Sequence, residues 1–404
     1  MTGAEPWRWP ADGRRTLAIT WPATSQTGWG RTAAHLAIEW GRRADLRPVL
    51  CGGIGPLSLD PLQTVAIQPA VAAGAGLRAA IVAAPDRDRP VDGIALQIAG
   101  NRLGPTTRVR GARNVHLPIV ENTAGGAAKR AFLQTGDALV AASRWNAAVL
   151  EAIGGRPLPV VHQGIDPAHF HPAPRLGLHP RRFVIFSGGK VEHRKGQDIV
   201  IAAFRAFRTR RPEALLLVAW ASDQRDAGAD IAGSPHVAGP PPRGLDGGAD
   251  IAAWLAAEGI APADAIVLPA MPNRAMAPVM READVALFPN RGEGGTNLVL
   301  MEAMALGLPC IAAANTGHLD VIAPERAFPL LRQTACRPPR PGFGVEGWGE
   351  SDVAEIVEAL EQVHADRAAA AARGAAAARF IADWTWARCA ERLAAVARAE
   401  RTSC

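Results

Sequence analysis

The sequence is short of lysine and cysteine, and each shortage narrows the range of functions. Lysine accounts for only three of the 44 basic side chains, so arginine is the ordinary cation of this chain. The five cysteines include no Cys-x-x-Cys pair, which argues against structural zinc and indicates a reducing compartment. The net charge of +6 is scattered rather than gathered into a basic run, so no nucleic-acid partner is expected.

Long apolar runs are also missing. No stretch reaches about 18 uninterrupted apolar residues, so no membrane-spanning helix is expected. The first ten residues contain no apolar signal core, which together with the cysteine pattern predicts a cytoplasmic protein. The scattered arginines leave contact with anionic partners open, including lipid head groups at the inner face of a membrane.

A regular alternation of strand-like and helix-like segments is present, and it predicts an α/β protein. A chain of 404 residues is long enough for two domains, each with its own core. The Pro- and His-rich stretch 164–180, GIDPAHFHPAPRLGLHP, is the predicted linker. Two sequential α/β domains leave a cleft between them, which is a preferred place for a ligand.

The predicted elements follow from hydrophobic periodicity and from turn residues. The first series is predicted to contain strands at 16–21, 48–51, 93–98, 115–120, 138–142 and 159–162, and helices at 31–42 and 144–153. The second series is predicted to contain strands at 183–187, 215–219, 265–268, 284–289 and 309–313, and helices at 196–210, 251–258 and 297–306. Alanine-rich helices are predicted from 352 to 401.

The stretch 292–310, GEGGTNLVLMEAMALGLPC, forms the centre of a predicted βαβ unit. Its two strands must be parallel because a crossover helix joins them. Ligands on such sheets sit at the carboxyl ends of the strands, beside helix N-termini. Glu293 and the turn 294–297 lie at such a place, and Glu302 lies inside the helix.

Two of the three lysines, Lys190 and Lys195, directly follow the first strand of the second series. The turn that carries them begins with Gly188 and Gly189, directly before Lys190. A compact ammonium group suits a crowded diphosphate that backbone amides also approach, whereas arginine presents a broad fork. We therefore interpret this turn as a diphosphate site.

The first series offers three further candidates at its predicted cleft edge. Gly28 and Gly30 in the loop SQTGWGR allow close backbone approach to a phosphate or a sugar. In LPIVENT (117–123), the strand Leu117–Val120 would deliver Glu121 to the same edge. Asn146 is interpreted as a helix-surface residue. In the second series, if the site holds a nucleotide, the segment 269–278, PAMPNRAMAP, is expected near its base.

Four motifs, in this order, resemble the retaining glycosyltransferases of family 4, which have the GT-B fold. They are TGWG (27–30), HQGIDPAHFHP (162–172), GGKVEHRKG (188–196) and EGGTNLVLMEAMALGLPCIA (293–312). The last motif resembles the family's Glu-x7-Glu segment, and the third resembles its Gly-Arg-Leu…Lys-Gly element. The resemblance spans nearly the whole chain.

The resemblance implies a GT-B protein in which two Rossmann-like, doubly wound domains face each other across a cleft. The first domain, 1–172, would bind the acceptor, and the second, 173–378, the nucleotide sugar. The segment 379–404 would form a final helix that crosses back to the first domain. The implied enzyme moves a sugar from a nucleoside-diphosphate donor to a glycan, lipid or small-molecule acceptor, without a metal or a cofactor, and retains the anomeric configuration.

The resemblance also implies roles for single residues. Lys195 corresponds to the family's diphosphate-binding lysine, and Lys190 replaces its usual arginine. Glu302 corresponds to the glutamate that binds the donor ribose. Glu293 corresponds to the glutamate near the donor sugar. Glu121 is expected beside the donor sugar. The remaining contacts to the donor are expected from main-chain turns, which contain Gly28, Gly30, Gly189, Thr296, Asn297 and Leu298.

The chain departs from the family pattern in one place. Eight residues separate Glu293 from Glu302, where the family has seven. The turn therefore has one extra residue, and Gly294 stands at the family's spacing. Thr296 and Asn297 stay open as partial contacts to the sugar.

Two other functions stay open at this stage. The pair Asp86 and Asp88 follows a strand-like run and could hold a metal in a metal-dependent GT-A glycosyltransferase, although flanking arginines favour a surface loop. The same two-domain shape would also suit a non-catalytic protein that binds nucleotide sugars. A turnover assay distinguishes an enzyme from a non-catalytic binding protein. Activity in the presence of a chelator would count against the metal-dependent glycosyltransferase.

Overall fold

We analysed a computed structural model, which describes residues 5–154, 156–222, 227–245 and 247–399. The last five residues of the predicted segment 379–404, including Cys404, lie outside the described residues. The described chain forms two α/β domains, each built on a parallel sheet. Both domains bury apolar strands between layers of helices, as parallel sheets require.

The first domain contains a five-stranded parallel sheet with the order β2-β1-β3-β4-β5. This order is that of a doubly wound flavodoxin-like sheet. Its strands are β1 (Arg15–Ile19), β2 (Leu46–Leu50), β3 (Arg89–Ala99), β4 (Val109–Pro118) and β5 (Ala138–Leu139). Its helices are α1 (Gly28–Gly41), α2 (Pro61–Ala83), α3 (Ala127–Gln134) and α4 (Arg144–Gly154).

The second domain contains a six-stranded parallel sheet with the order β11-β10-β9-β6-β7-β8. Its strands are β6 (Phe183–Gly189), β7 (Ala214–Trp220), β8 (Ala265–Val267), β9 (Val285–Phe288), β10 (Cys310–Ala313) and β11 (Phe328–Leu330). Its helices are α5 (Gln197–Arg208), α6 (Ile251–Ala257), α7 (Asn273–Arg281), α8 (Leu298–Ala305), α9 (Val353–Ala365) and α10 (Arg367–Ile381). A small antiparallel ribbon pairs β12 (Gln333–Ala335) with β13 (Gly349–Ser351).

The last helix, α11 (Trp386–Arg398), leaves the second domain and packs on α1 of the first. The indole of Trp386 stacks on His35 with ring centroids 5.1 Å apart. In return, the indole N–H of Trp40 donates to the carbonyl oxygen of Ala390 at 2.8 Å. The two domains are thus joined at two places in the sequence, the linker and this helix.

The structure confirms the predicted α/β alternation and most of its elements, with two kinds of error. Helices α2, α3 and α7 were not predicted. The apolar residues of α2 form no clear stripe at helical spacing, and α3 and α7 are only eight and nine residues long. The predicted strand at 159–162 forms only an isolated bridge between Ala141 and Val160.

The expectation of no helix long and apolar enough to cross a membrane does not hold for α2. By length and composition this helix qualifies, with a mean hydropathy of 1.5. Polar residues interrupt its apolar runs in the sequence, but Arg78 is its only charged residue. Ile67, Ala70, Gly74 and Leu77 are its buried residues, and it packs against β2 and α1.

Candidate active site

The carboxyl ends of the two sheets face each other, and the loops that follow the strands meet there. The start of α1, in the first domain, lies against the start of α8 in the second. A Cβ atom built on Gly28 would lie 3.3 Å from Cδ1 of Leu298. The two helix N-termini are therefore in van der Waals contact across the cleft.

Glu293 lies at the centre of this region and is buried. Its carboxylate accepts from Nζ of Lys195 at 2.5 Å and from Nη1 of Arg194 at 2.9 Å. The side-chain amide of Asn290 donates to the same carboxylate. Burial on its own would raise the pKa of Glu293, but the charges of Lys195 and Arg194 outweigh it and lower that pKa to about 2. Glu293 is therefore an anion at neutral pH.

The turn after Glu293 leaves no room for a side chain at Gly294, the position that matches the family's spacing. A Cβ atom on Gly294 would lie 2.4 Å from the carbonyl oxygen of Val120, in the other domain. The carbonyl of Gly294 also accepts from the hydroxyl of Ser143 at 2.8 Å. No side chain fits at position 294, so the carboxylate that reaches the cleft is that of Glu293.

A second turn holds the main chain of Glu293 in place. The N–H of Glu293 donates to Oγ1 of Thr316 at 2.8 Å, and its carbonyl accepts from the N–H of Gly317 at 3.0 Å. A Cβ atom on Gly317 would lie only 1.7 Å from the carbonyl oxygen of Gly295. Thr316 and Asn297 both have positive φ, at 41° and 61°, a conformation that costs energy and often marks functional sites.

Glu121 is buried at the facing edge of the first domain. Asn101 holds it twice, because its Nδ2 donates to Oε2 of Glu121 at 2.8 Å and its Oδ1 accepts from the N–H of Glu121 at 2.6 Å. The indole N–H of Trp348, from the second domain, donates to the carbonyl of Glu121 at 3.1 Å. Burial raises the pKa of Glu121, and the nearby guanidinium of Arg194 partly offsets that rise.

Arg194 was not predicted as a site residue, although it lies between His193 and Lys195 in a motif that was. Its guanidinium lies 2.9 Å from Glu293, 2.7 Å from Glu192 and 3.7 Å from Glu121. It is thus the cation that links the carboxylates of both domains. The sequence signal was weak, because arginine is the ordinary cation of this chain.

Glu302 lies at a neighbouring point of the cleft, where it is also buried. Its carboxylate is bound by the guanidinium of Arg31 from the first domain, and it accepts from Nδ2 of Asn273 at 3.0 Å. Burial raises the pKa of Glu302 even though Arg31 opposes the rise. Arg31 was missed, although it directly follows the loop with Gly28 and Gly30. Asn273 belongs to the segment predicted near the base.

Of the two lysines predicted at the diphosphate site, only Lys195 contacts Glu293. Lys190 is half-buried. Burial raises the pKa of Glu192, but the charges of Arg194, Lys195 and Lys190 outweigh it and lower that pKa. Gly189 has a φ of 143°, and a Cβ atom there would lie 3.6 Å from Cδ of Lys195. The ammonium of Lys195, not that of Lys190, therefore reaches the carboxylate of Glu293.

Gly30 and Thr296 have structural roles of their own, and the interpretation of Asn146 needs correction. Gly30 lies inside α1, where a Cβ atom would lie 2.2 Å from Cγ2 of Thr24, so the tight packing requires this glycine. The hydroxyl of Thr296 is buried and donates to Sδ of Met301 at 2.9 Å, which directs it away from Glu293. Asn146 is not a helix-surface residue: it is fully buried, and its Oδ1 accepts from the N–H of Ala142.

Asp86 and Asp88 lie outside this site. They precede β3, at the edge of the first sheet opposite to the cleft. Asp88 pairs with Arg108 at 3.6 Å. Their position on a two-domain fold excludes the GT-A architecture for which they were considered.

Comparisons with known proteins agree with this geometry. Residues 181–366 match the family described as glycosyl transferases group 1. A D-inositol 3-phosphate glycosyltransferase 1 of Catenulispora acidiphila is 31% identical over 300 residues, which cover 71% of this chain and 63% of that protein. A D-inositol 3-phosphate glycosyltransferase of Segniliparus rotundus is 28% identical over 213 residues, which cover 51% of this chain and 40% of that protein. The chain thus spans about half the length of these two relatives.

Solved structures share the fold across nearly the whole chain. A sucrose-phosphate synthase of Thermosynechococcus elongatus superposes with a TM-score of 0.61 at 16% identity, covering 95% of this chain and 98% of that one. HepE of Anabaena, in complex with UDP and glucose, superposes with a TM-score of 0.60 at 14% identity and the same coverage. Residues 181–366 of this chain therefore match the glycosyl transferases group 1 family, and its two domains have the GT-B fold.

Proposed function

We propose that this protein is a retaining, metal-independent glycosyltransferase that moves a sugar from a nucleoside-diphosphate sugar to a hydroxyl-bearing acceptor. The observation that carries the proposal is the meeting of Glu121 and Glu293, from opposite domains, beside Arg194 and Lys195. Each domain supplies one carboxylate, so a reacting sugar between them would contact both. The family of residues 181–366 supports the transferase class.

The chemistry requires charge stabilisation on both sides of the bond that breaks. Cleavage of the sugar–phosphate bond builds negative charge on the departing diphosphate and positive charge on the sugar ring. Preorganised cations and amide dipoles aimed at that charge lower the barrier. Lys195 and Lys190, with the amides at the start of α8, would stabilise the diphosphate. Glu293 and Glu121 would stabilise the ring or orient its hydroxyls.

The donor nucleotide would lie along the second domain. Glu302 is expected to accept hydrogen bonds from the ribose hydroxyls, and Asn273 lies beside it. The ion pair between Arg31 and Glu302 occupies this place in the structure, so a bound ribose would compete with Arg31 for the carboxylate. The complex of HepE with UDP and glucose supports a nucleotide donor for this fold.

The acceptor would enter from the first domain. Relatives are named for transfer to D-inositol 3-phosphate and, in Mycolicibacterium smegmatis, to phosphatidyl-myo-inositol. We therefore propose a polyol or its lipid derivative as the acceptor class, and a cytoplasmic protein that works in solution or at the inner face of a membrane. Closure of the domains would exclude water from the reacting sugar.

A donor screen tests the proposal. Purified protein is incubated with a panel of nucleoside-diphosphate sugars and inositol acceptors, and release of nucleoside diphosphate is measured with and without a chelator. Nuclear magnetic resonance of the product's anomeric proton reports retention or inversion. Turnover that survives the chelator, with retained configuration, supports the proposal. Donor binding without any turnover would instead favour a non-catalytic nucleotide-sugar-binding protein.

A further inference from the structure

Arg194 is the point where carboxylates from both domains meet. Its Nη1 binds Glu293 of the second domain, and its Nη2 faces Glu121 of the first. Its Nε binds Glu192 at 2.7 Å. Arg194 is mostly buried, with 18% of its side chain exposed. A planar guanidinium with five donors can serve three carboxylates in one plane, which an ammonium group cannot do.

The main chain of Arg194 also joins the two turns of the second domain. Its carbonyl accepts from the N–H of Arg291 at 2.7 Å and from that of Gly292 at 3.4 Å. Its Nη1 lies 3.5 Å from the carbonyl of Gly292. Arg291 is itself fully buried and paired with Asp198 at 2.6 Å. The guanidinium of Arg194 is therefore held by the turn that carries Glu293, and it is placed before any ligand binds.

The charges around these carboxylates are nearly in balance. Glu121 faces Arg194, the carboxylates of Glu192 and Glu293, and the amide of Asn101. The partners of Glu293, on the elements packed against it, are Lys195, Arg194, His318 and Asn290. Burial lowers the pKa of His318 to about 4, so His318 supplies no positive charge at neutral pH. Arg194 and Lys195 are then the cations that keep Glu293 ionised.

This arrangement raises a conflict for Lys195, because the proposed function assigns the same ammonium to the diphosphate. If Lys195 turned to the diphosphate, Glu293 would lose one of its two cations. Resting on that function, we propose that Arg194 is a positioning residue that keeps Glu121 and Glu293 together as anions when Lys195 turns to the departing diphosphate. Arg194 would act through the two carboxylates and not through the diphosphate.

The test compares Arg194→Lys and Arg194→Gln with the wild type over pH 5 to 9. Loss of a cation within about 4–6 Å raises the pKa of a carboxylate by roughly 1–3 units. Protonation of Glu121, whose pKa burial already raises, would then reduce activity as the pH falls, and activity would return as the pH rises. We expect kcat of Arg194→Gln to fall roughly a hundredfold at pH 7, with the acidic limb of its profile moved upward by roughly 1–3 pH units.

A split between kinetic constants separates positioning from phosphate binding. Because Lys190 and Lys195 remain, KM for the donor and the calorimetric affinity for the nucleoside diphosphate should stay at the wild-type values. Arg194→Lys should keep part of the charge and give an intermediate profile. The matched control is Arg144→Lys, because Arg144 also bridges the domains, through Asp320 at 2.9 Å, but lies outside the site.

Several outcomes would overturn the inference. A pH profile of Arg194→Gln that keeps the wild-type shape would show a structural role only, whatever the loss in rate. Weaker binding of nucleoside diphosphate would assign Arg194 to the diphosphate instead. If the wild type turns over no donor, the proposed function fails, and carbon-13 resonance of the labelled carboxyl groups still decides the electrostatic part. Glu121 and Glu293 should then titrate at higher pH in either Arg194 variant than in the wild type.

Discussion

The ammonium of Lys195 lies 2.5 Å from Oε1 of Glu293, and both groups are almost completely buried. The pair belongs to one domain, so it forms independently of domain closure. Burial lowers the pKa of Lys195, and Glu293 opposes that shift. A buried cation of this kind is positioned before the donor arrives, which is what stabilisation of a departing diphosphate requires.

We expect Lys195→Ala to reduce turnover roughly 100- to 1000-fold, because one preorganised donor to the diphosphate is removed. Arg194 and Asn290 still hold Glu293, so the variant should stay folded. Steady-state rates and a thermal unfolding curve measure the two effects separately. Arg210→Ala, on the exposed end of the second domain, is the control. Turnover of Lys195→Ala at the wild-type rate would remove the diphosphate role.

A second prediction concerns the nucleotide. Glu302→Gln should weaken binding of nucleoside diphosphate by about 1.5–3 kcal/mol, the worth of hydrogen bonds to a charged group, which is roughly ten- to a hundredfold in Kd. Titration calorimetry measures this directly. An unchanged Kd would refute the ribose assignment.

The affinities of the wild type and of Glu302→Gln for nucleoside diphosphate should depend differently on pH. Burial raises the pKa of Glu302 in the free protein, so its carboxylate is protonated at a higher pH than that of an ordinary glutamate. The wild type should then lose affinity as the pH falls, while Glu302→Gln, which has no proton to gain, should not lose this component. The difference in Kd between the two proteins should therefore narrow from pH 7.5 to pH 5. A constant difference would mean that Glu302 does not titrate in this range.

The sequence predicted the strands of both sheets well, because buried strands such as 285–288 and 310–313 are continuous apolar runs between turn residues. It also placed Glu293 and Glu302 at the facing edge, since the βαβ unit leaves little choice of topology. Helix α2 was not predicted, because its alanine and glycine residues lie on every side of the helix. Such a composition gives no apolar stripe at helical spacing.

The contacts across the cleft could not be predicted from the sequence. Arg31 and Arg194 are two of many arginines, and their importance depends on how one domain is oriented relative to the other. The hydrogen bond from the Thr296 hydroxyl to Sδ of Met301 could not be predicted either, because it depends on how this turn is folded. Both features are tertiary, and local propensity does not determine them.

A third prediction uses the low pKa of Glu293. Since this pKa is lowered from an unfolded value of 4.5 to about 2, ionised Glu293 contributes stability that is complete above the unfolded value. That contribution is about 3 kcal/mol, and it is lost as the pH falls through the folded value. Glu293→Gln should therefore be less stable than the wild type by about this amount at pH 7.

Urea unfolding at several pH values checks the sign. The gap in unfolding free energy between wild type and Glu293→Gln should shrink between pH 4.5 and pH 2. Glu350, whose pKa is also lowered to about 2, titrates in both proteins and cancels in the difference. A gap that widens in acid would contradict the ion-pair assignment of Glu293.

The last prediction separates domain closure from donor binding. Gly294→Ala places a Cβ atom 2.4 Å from the carbonyl oxygen of Val120, where ordinary contacts begin at 3.4 Å. The φ of Gly294 is not positive, so alanine can adopt the backbone and the clash lies only across the domain boundary. The domains should separate by about 1 Å, and a displacement of that size typically costs roughly a hundredfold in rate.

Donor binding should survive in Gly294→Ala, because Lys190, Lys195 and Glu302 all belong to the second domain. We therefore expect a large fall in kcat, an unchanged calorimetric Kd for nucleoside diphosphate, and a lower thermal unfolding temperature, because the contacts between the domains are weakened. Gly239→Ala is the control, since a Cβ atom there has no neighbour within 4 Å. A Gly294→Ala enzyme with the wild-type kcat would mean that catalysis does not require the contact between this turn and the first domain. The reacting carboxylates would then not need to approach as closely as the structure places them.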